Sequence, residues 1–247
     1  MIAMRWAVLA VATVLTLAAF GATGTDLQPS ALRVAVTAIV GLLAPLFWPG
    51  IGATAARTTL RIVGWSLAAA CLAAIALRFA GNHGQPFARI LPACAMLMLI
   101  LLVIHALAAI VEQHWRSKSG NAESSHEMAG RTAALGLALL GAVPLWLGPA
   151  AELLARRQAW IIDAVIGVSP LTHLAVASGN DLLRNPWFYQ HSNLAALRFS
   201  YPSLTTLIAT YVAIALILVL APLAARGPGR PTASTIATTH PATEHVK

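Results

Sequence analysis

The side chains able to do chemistry concentrate between positions 158 and 202. Asp163 and His173 stand ten residues apart, on either side of a Ser169-Pro170 step. A chain that doubles back at that proline sets a carboxylate beside an imidazole, the minimum for moving a proton. Downstream come Asp181, Arg184, His191 and Arg198, interleaved with Trp187, Phe188, Tyr189, Phe199 and Tyr201. Amphipathic rings and charges mixed in this way anchor a protein at head-group depth. They can equally line a substrate path or a partner surface, for which the candidates are Asp163, Pro170, Thr172, His173, Asp181, Arg184, Trp187, Tyr189, His191 and Arg198. The stretch contains no Gly-x-Ser-x-Gly and no His-Glu-x-x-His, so no residue is assigned a catalytic role. An enzyme built on Asp163 and His173 would have to work without a recognised motif.

A second pair lies inside an apolar run. His105 and Glu112 are seven residues apart, two helical turns along one face and about 10 Å, too far to share a metal ion. An ionisable group at that depth is costly, which makes both residues functional candidates. For His105 the expectation is a neutral ring hydrogen-bonded to another helix. His114 and His126 lack the paired spacing of a zinc site, so neither metal nor cofactor is expected. Cys71 and Cys94 fall at similar depth on consecutive runs; they read as free buried thiols that a tight helical hairpin would make neighbours.

The elements that must position these residues follow from composition. Of 247 residues, 58% are hydrophobic and 10% charged, with a mean hydropathy of +0.75. A soluble domain carries about 25% charge. The apolar residues come in blocks rather than stripes, as in helices surrounded by lipid. This predicts an all-α integral membrane protein with six transmembrane helices, at about 6–24, 31–49, 58–79, 89–111, 132–154 and 203–223. Residues 158–202 form a broken or re-entrant helical segment between the fifth and sixth, because proline removes an amide donor and clashes with the preceding turn. A second short helix is expected over 171–183, closed by Asn185-Pro186. The first run shares the plan of a signal peptide but is long for one, and it reads as a retained helix. The small residues Gly64, Ala68, Ala69, Ala70, Cys71, Ala73 and Ala74 of the third run read as a helix-packing face. Trp48 reads as an interface aromatic, 113–131 as a flexible aqueous loop, and 225–247, rich in Pro, Thr and Ala, as a disordered tail. Pro144 and Pro149 predict that the fifth run kinks or stops early.

The charge of +8, from 16 Lys and Arg against 8 Asp and Glu, is spread one to three residues at a time beside apolar blocks. That pattern sets topology and meets anionic lipid, and argues against a nucleic-acid partner. Basic pairs at Arg57 and Arg61 and at Arg116 and Lys118 favour both termini inside a bacterial inner membrane.

The segment SPLTHLAVASGNDLLRN, through Pro170, Leu171, Thr172 and Arg184, resembles the hairpin between the last two spans of type-2 ABC exporter permeases. The resemblance covers under a tenth of the chain. It implies a permease subunit of a homo- or hetero-oligomeric transporter, driven by a separate ATPase, since the chain has no GxxxxGK[ST] phosphate loop. The alternative of a different class is a non-catalytic assembly subunit of a larger membrane complex, which a small-residue face and an aromatic ledge would also suit.

Overall fold

The computed structural model describes residues 10, 13, 28–79, 86–155, 160–184 and 200–224. Outside them fall the first apolar run apart from Ala10 and Thr13, the turn with His83, Arg156-Arg157, Asn185-Pro186, the ledge of Trp187, Phe188, Tyr189, His191, Arg198 and Phe199, and the tail. The described residues contain helices and no strand. They run α1 (Pro29–Leu43), a 3-10 turn (Ala44–Phe47), α2 (Ala55–Phe79), α3 (Phe87–Ser119), α4 (Ala122–Gly141), α5 (Val143–Trp146), α6 (Gly148–Ala155), α7 (Trp160–Val168), α8 (Pro170–Ala177), a 3-10 turn (Leu182–Arg184) and α9 (Leu204–Ala224).

The most apolar run becomes the longest helix and the centre of the bundle. α3 is hydrophobic on every face, and a helix of that kind is stable only when surrounded. It touches α1, α2, α4, α8 and α9. Its Met96, Leu97, Ile100 and Leu101 meet Val36 and Val40 of α1, Ala69 and Ala73 of α2, Leu137 of α4, Leu174 of α8 and Leu207 of α9 in one core. The packing face expected on the third run is present: Ile62, Trp65, Ser66, Ala69, Ala70, Ala73 and Leu77 are buried at helical spacing. Gly64 and Ala68 fall off that face. α9 buries Leu207 and Ala215 and exposes Ile208, Val212, Ile214, Leu216, Ile217 and Leu220, the surface of a helix with lipid on one side.

Among the described residues three stretches are long and apolar enough to cross a membrane, Pro29–Phe47, Ala55–Phe79 and Phe87–Ser119. α7 and α8 join them only as a pair bent by 82° at Ser169. The expected break at the proline is therefore present. α8 is shorter than the helix expected over 171–183. It starts at Pro170 under a Ser169 cap and ends at Ser178–Gly179, where Gly179 takes a positive φ.

One expectation needs correcting. Residues 113–131 are not a flexible loop. α3 continues to Ser119, α4 begins at Ala122, and only Gly120 and Asn121 separate them. Gly120 adopts φ +67°, a left-handed cap that a side chain would disfavour, and the Asn121 side chain accepts from the Glu123 and Ser124 amides. These are a helix stop and a helix start in succession. Mixed charge misled the reading because it is carried as i,i+4 pairs, Glu112 with Arg116 and Glu127 with Arg131, which support a helix. The fifth run stops early, as its prolines predict: α4 ends at Gly141, and Pro144 lies in the first turn of the short α5.

Candidate functional site

Two polar constellations are built among these helices. The first is the break between α7 and α8. Ending α7 at Val168 frees carbonyls that a continuing helix would satisfy, and Pro170 has no N–H to offer Ile166. The chain supplies replacements from its own next turn. The Thr172 hydroxyl donates to Ile166 O at 2.7 Å, His173 Nε2 lies 3.0 Å from Gly167 O, and the Ser169 hydroxyl donates to Gly141 O at 2.9 Å. Ser169 also caps α8 by accepting from the Thr172 amide. A carbonyl only accepts, so His173 Nε2 carries the hydrogen. In the neutral ring Nδ1 then accepts from the Tyr211 hydroxyl of α9 at 2.9 Å. The run Ser-Pro-Leu-Thr-His is thus a broken helix with its own repairs, as irregular backbone at membrane depth requires.

At the far end of α8 the last carbonyl, that of Ser178, accepts from Arg33 Nε at 3.1 Å and Nη2 at 2.6 Å. A guanidinium suits the negative end of a helix. Asn180 donates to Ser30 Oγ at 3.0 Å. Arg33, one of the basic residues that stand beside the apolar blocks, is buried.

Beside the break lies a cavity of about 430 Å³ between α3, α8 and α9. Its wall is apolar apart from His173, Tyr211, Thr206 and Thr210. Asp163 is not part of it. That carboxylate is exposed and accepts from the Ser200 amide at 3.2 Å, whereas His173 is buried with other partners. The hairpin bends as expected without bringing Asp163 to His173. Asp181 accepts from the Tyr201 hydroxyl at 2.7 Å and pairs with Arg184 at 3.5 Å. The same hydroxyl accepts from the Leu183 amide at 3.2 Å. Burial, and then the bond to Asp181, push the Tyr201 phenol above its ordinary range and keep it a neutral donor. Asp163 and Asp181 therefore tie residues 200–201 to the first turn of α7 and to the turn after α8.

The second constellation centres on Trp48, expected at an interface and found 1% exposed. Its indole N–H donates to Glu112 Oε2 at 2.9 Å, and its ring stacks on His105 at 5.3 Å. Glu112 Oε2 also accepts from the Ile51 amide at 2.9 Å, and Oε1 pairs with Arg116 at 2.8 Å. Arg61 donates to the carbonyls of Gly50 and Ile51 at 3.1 and 2.9 Å. Gly50, at φ +83°, brings its backbone so near that an added Cβ would sit 3.3 Å from the carboxylate. The ring is drawn inside because an indole N–H can be buried once an acceptor is buried with it. His105 makes the interhelical bond expected of it, Nδ1 to Ser66 Oγ of α2 at 2.8 Å. His105 and Glu112 do not meet, yet Trp48 touches both.

Sequence reasoning missed Tyr211, Ser66 and the role of Trp48. A signal existed for Tyr211: a phenol in the middle of an apolar run must find a polar partner. Both cysteines are free, Cys94 buried and Cys71 exposed rather than buried. Among the described residues no three His, Cys, Asp or Glu side chains gather to hold a metal. No protein-family model matches the chain, and no curated protein or solved structure matches it.

Proposed function

We propose that this chain is the membrane-embedded permease subunit of a transporter, of the six-span ABC-2-like plan. On this reading it sits in the bacterial inner membrane, is driven by a separate ATPase and works as an oligomer. The observation that carries the reading is the cavity at the broken helix. Proteins that pass a substrate through lipid place irregular backbone where it borders a cavity, because only there are its freed groups tolerable. The α7–α8 break, the 430 Å³ space beside it and the long helix α3 along its other wall have that form. An enzyme using Asp163 and His173 is the weaker reading, since the two side chains have separate partners.

The test is isolation of the full chain from the membranes of its host under mild detergent, with ATP hydrolysis measured on what accompanies it. The expected result is a stoichiometric nucleotide-hydrolysing partner whose rate changes when Thr210→Trp fills the cavity. A stable multi-subunit assembly that hydrolyses no nucleotide would overturn the permease reading in favour of an assembly subunit.

A further inference from the structure

The walls of the α3–α8–α9 cavity restrict what it can hold. None of the residues that line it is charged. A ligand with an ionised head would lose its hydration there with no counter-charge in return. Two of the polar lining groups have a definite sense. Tyr211 spends its hydrogen on His173 Nδ1, and His173 Nε2 spends its own on Gly167 O, so of this pair the tyrosine oxygen is left only to accept. Apart from the Thr206 and Thr210 hydroxyls the rest of the wall is apolar, with Ile100, Val103, Ile104 and Leu107 of α3 and Ile214 of α9. At about 430 Å³ the space lies within the range of small-molecule sites, about 300–1,000 Å³.

We infer that this cavity binds one uncharged single-chain lipid alcohol, with its hydroxyl donating to Tyr211 Oη and its hydrocarbon chain along α3. The chemistry recognised is a neutral donor on an aliphatic chain, as in a monoacylglycerol. The idea that such a molecule is cargo rests on the permease reading; the binding itself does not.

The experiment is equilibrium binding of radiolabelled 1-monooleoylglycerol to the purified full chain in detergent, with oleate and the dimethyl ether of monooleoylglycerol as competitors. Saturation at one lipid per chain is expected, with oleate at pH 9 and the ether each competing at least about tenfold more weakly, the scale of one unpaired buried polar group. Gly167→Leu should abolish binding while the protein unfolds at its usual temperature, because Gly167 lines the cavity and a Cβ there meets no atom within 4 Å. In the double variant Tyr211→Phe, His173→Leu the preference for the alcohol over its ether should disappear. Equal or tighter binding of oleate, undiminished binding to Gly167→Leu, or no binding at all would each overturn the inference. Lipid binding without an ATPase partner sinks only the permease reading, and an ATPase partner without lipid binding sinks only this one.

Discussion

Glu112 keeps a carboxylate out of water on three donors: the Trp48 indole, the Ile51 amide and the Arg116 guanidinium. Removing it strands the first two in a dry site, while removing the indole leaves the carboxylate with its amide and its cation. Each buried donor left without its acceptor costs about 1–3 kcal/mol and two are stranded together, while Arg116, 40% exposed, can turn to water. Losing one neutral donor and some ring volume costs about 1–3 kcal/mol. Glu112→Ala is therefore expected to lower the unfolding temperature in detergent far more than Trp48→Phe. His105→Leu should be mild, since a polar contact between helices in lipid is worth about 0.6–2 kcal/mol. If Glu112→Ala unfolds at the wild-type temperature, the clasp does not hold the loop to α3.

At the scale of elements, α4 comes so close to the 3-10 turn that a Cβ on Gly130 would stand 2.6 Å from Pro45 O. The obstacle is backbone, which cannot rotate away. Gly136 lies on the same helix, and a Cβ there meets nothing within 4 Å. Alanine is better than glycine in a helix by about 1 kcal/mol. Gly136→Ala should accordingly stabilise the protein or leave it unchanged, whereas Gly130→Ala should destabilise it, both read from thermal unfolding. Stabilisation by both would show that the close approach is soft. The approach sets the middle of α4 against that turn. Trp65 Nε1 donates to Ala44 O at 3.1 Å, so α2 and α4 grip the same turn from two sides.

For the whole molecule the question is how the chain travels after α4. Both ends of the bent pair return to residues 200–201, through Asp163 to the Ser200 amide and through Asp181 and Leu183 to Tyr201. A straight crossing would separate those ends by the thickness of a bilayer, about 30 Å. Single cysteines at Trp160 and at Ser200, both exposed, are expected to react with an impermeant maleimide from the same face of sealed vesicles. The background for this carries Cys71→Ala and Cys94→Ala. Reaction from opposite faces would make the pair one kinked span and reverse the side on which α9 begins.

Blocks of apolar residues determined by themselves that this chain is helical and suited to lipid, because burial of side chains in a bilayer depends on local composition and length. The same holds for the break at Ser169-Pro170, since a missing amide is a property of one residue, and for the interhelical bond of His105, since a buried imidazole must find a partner. The tertiary structure alone decided which partners those are. Trp48 met Glu112 across 64 positions and Arg33 met the Ser178 carbonyl across 145, and no local pattern encodes such pairings. It also separated Asp163 from His173. Their spacing allowed a meeting, but the direction of each side chain was set by the packing of α7 and α8 against different neighbours, and the cavity opened on the side where His173 and Tyr211 face one another.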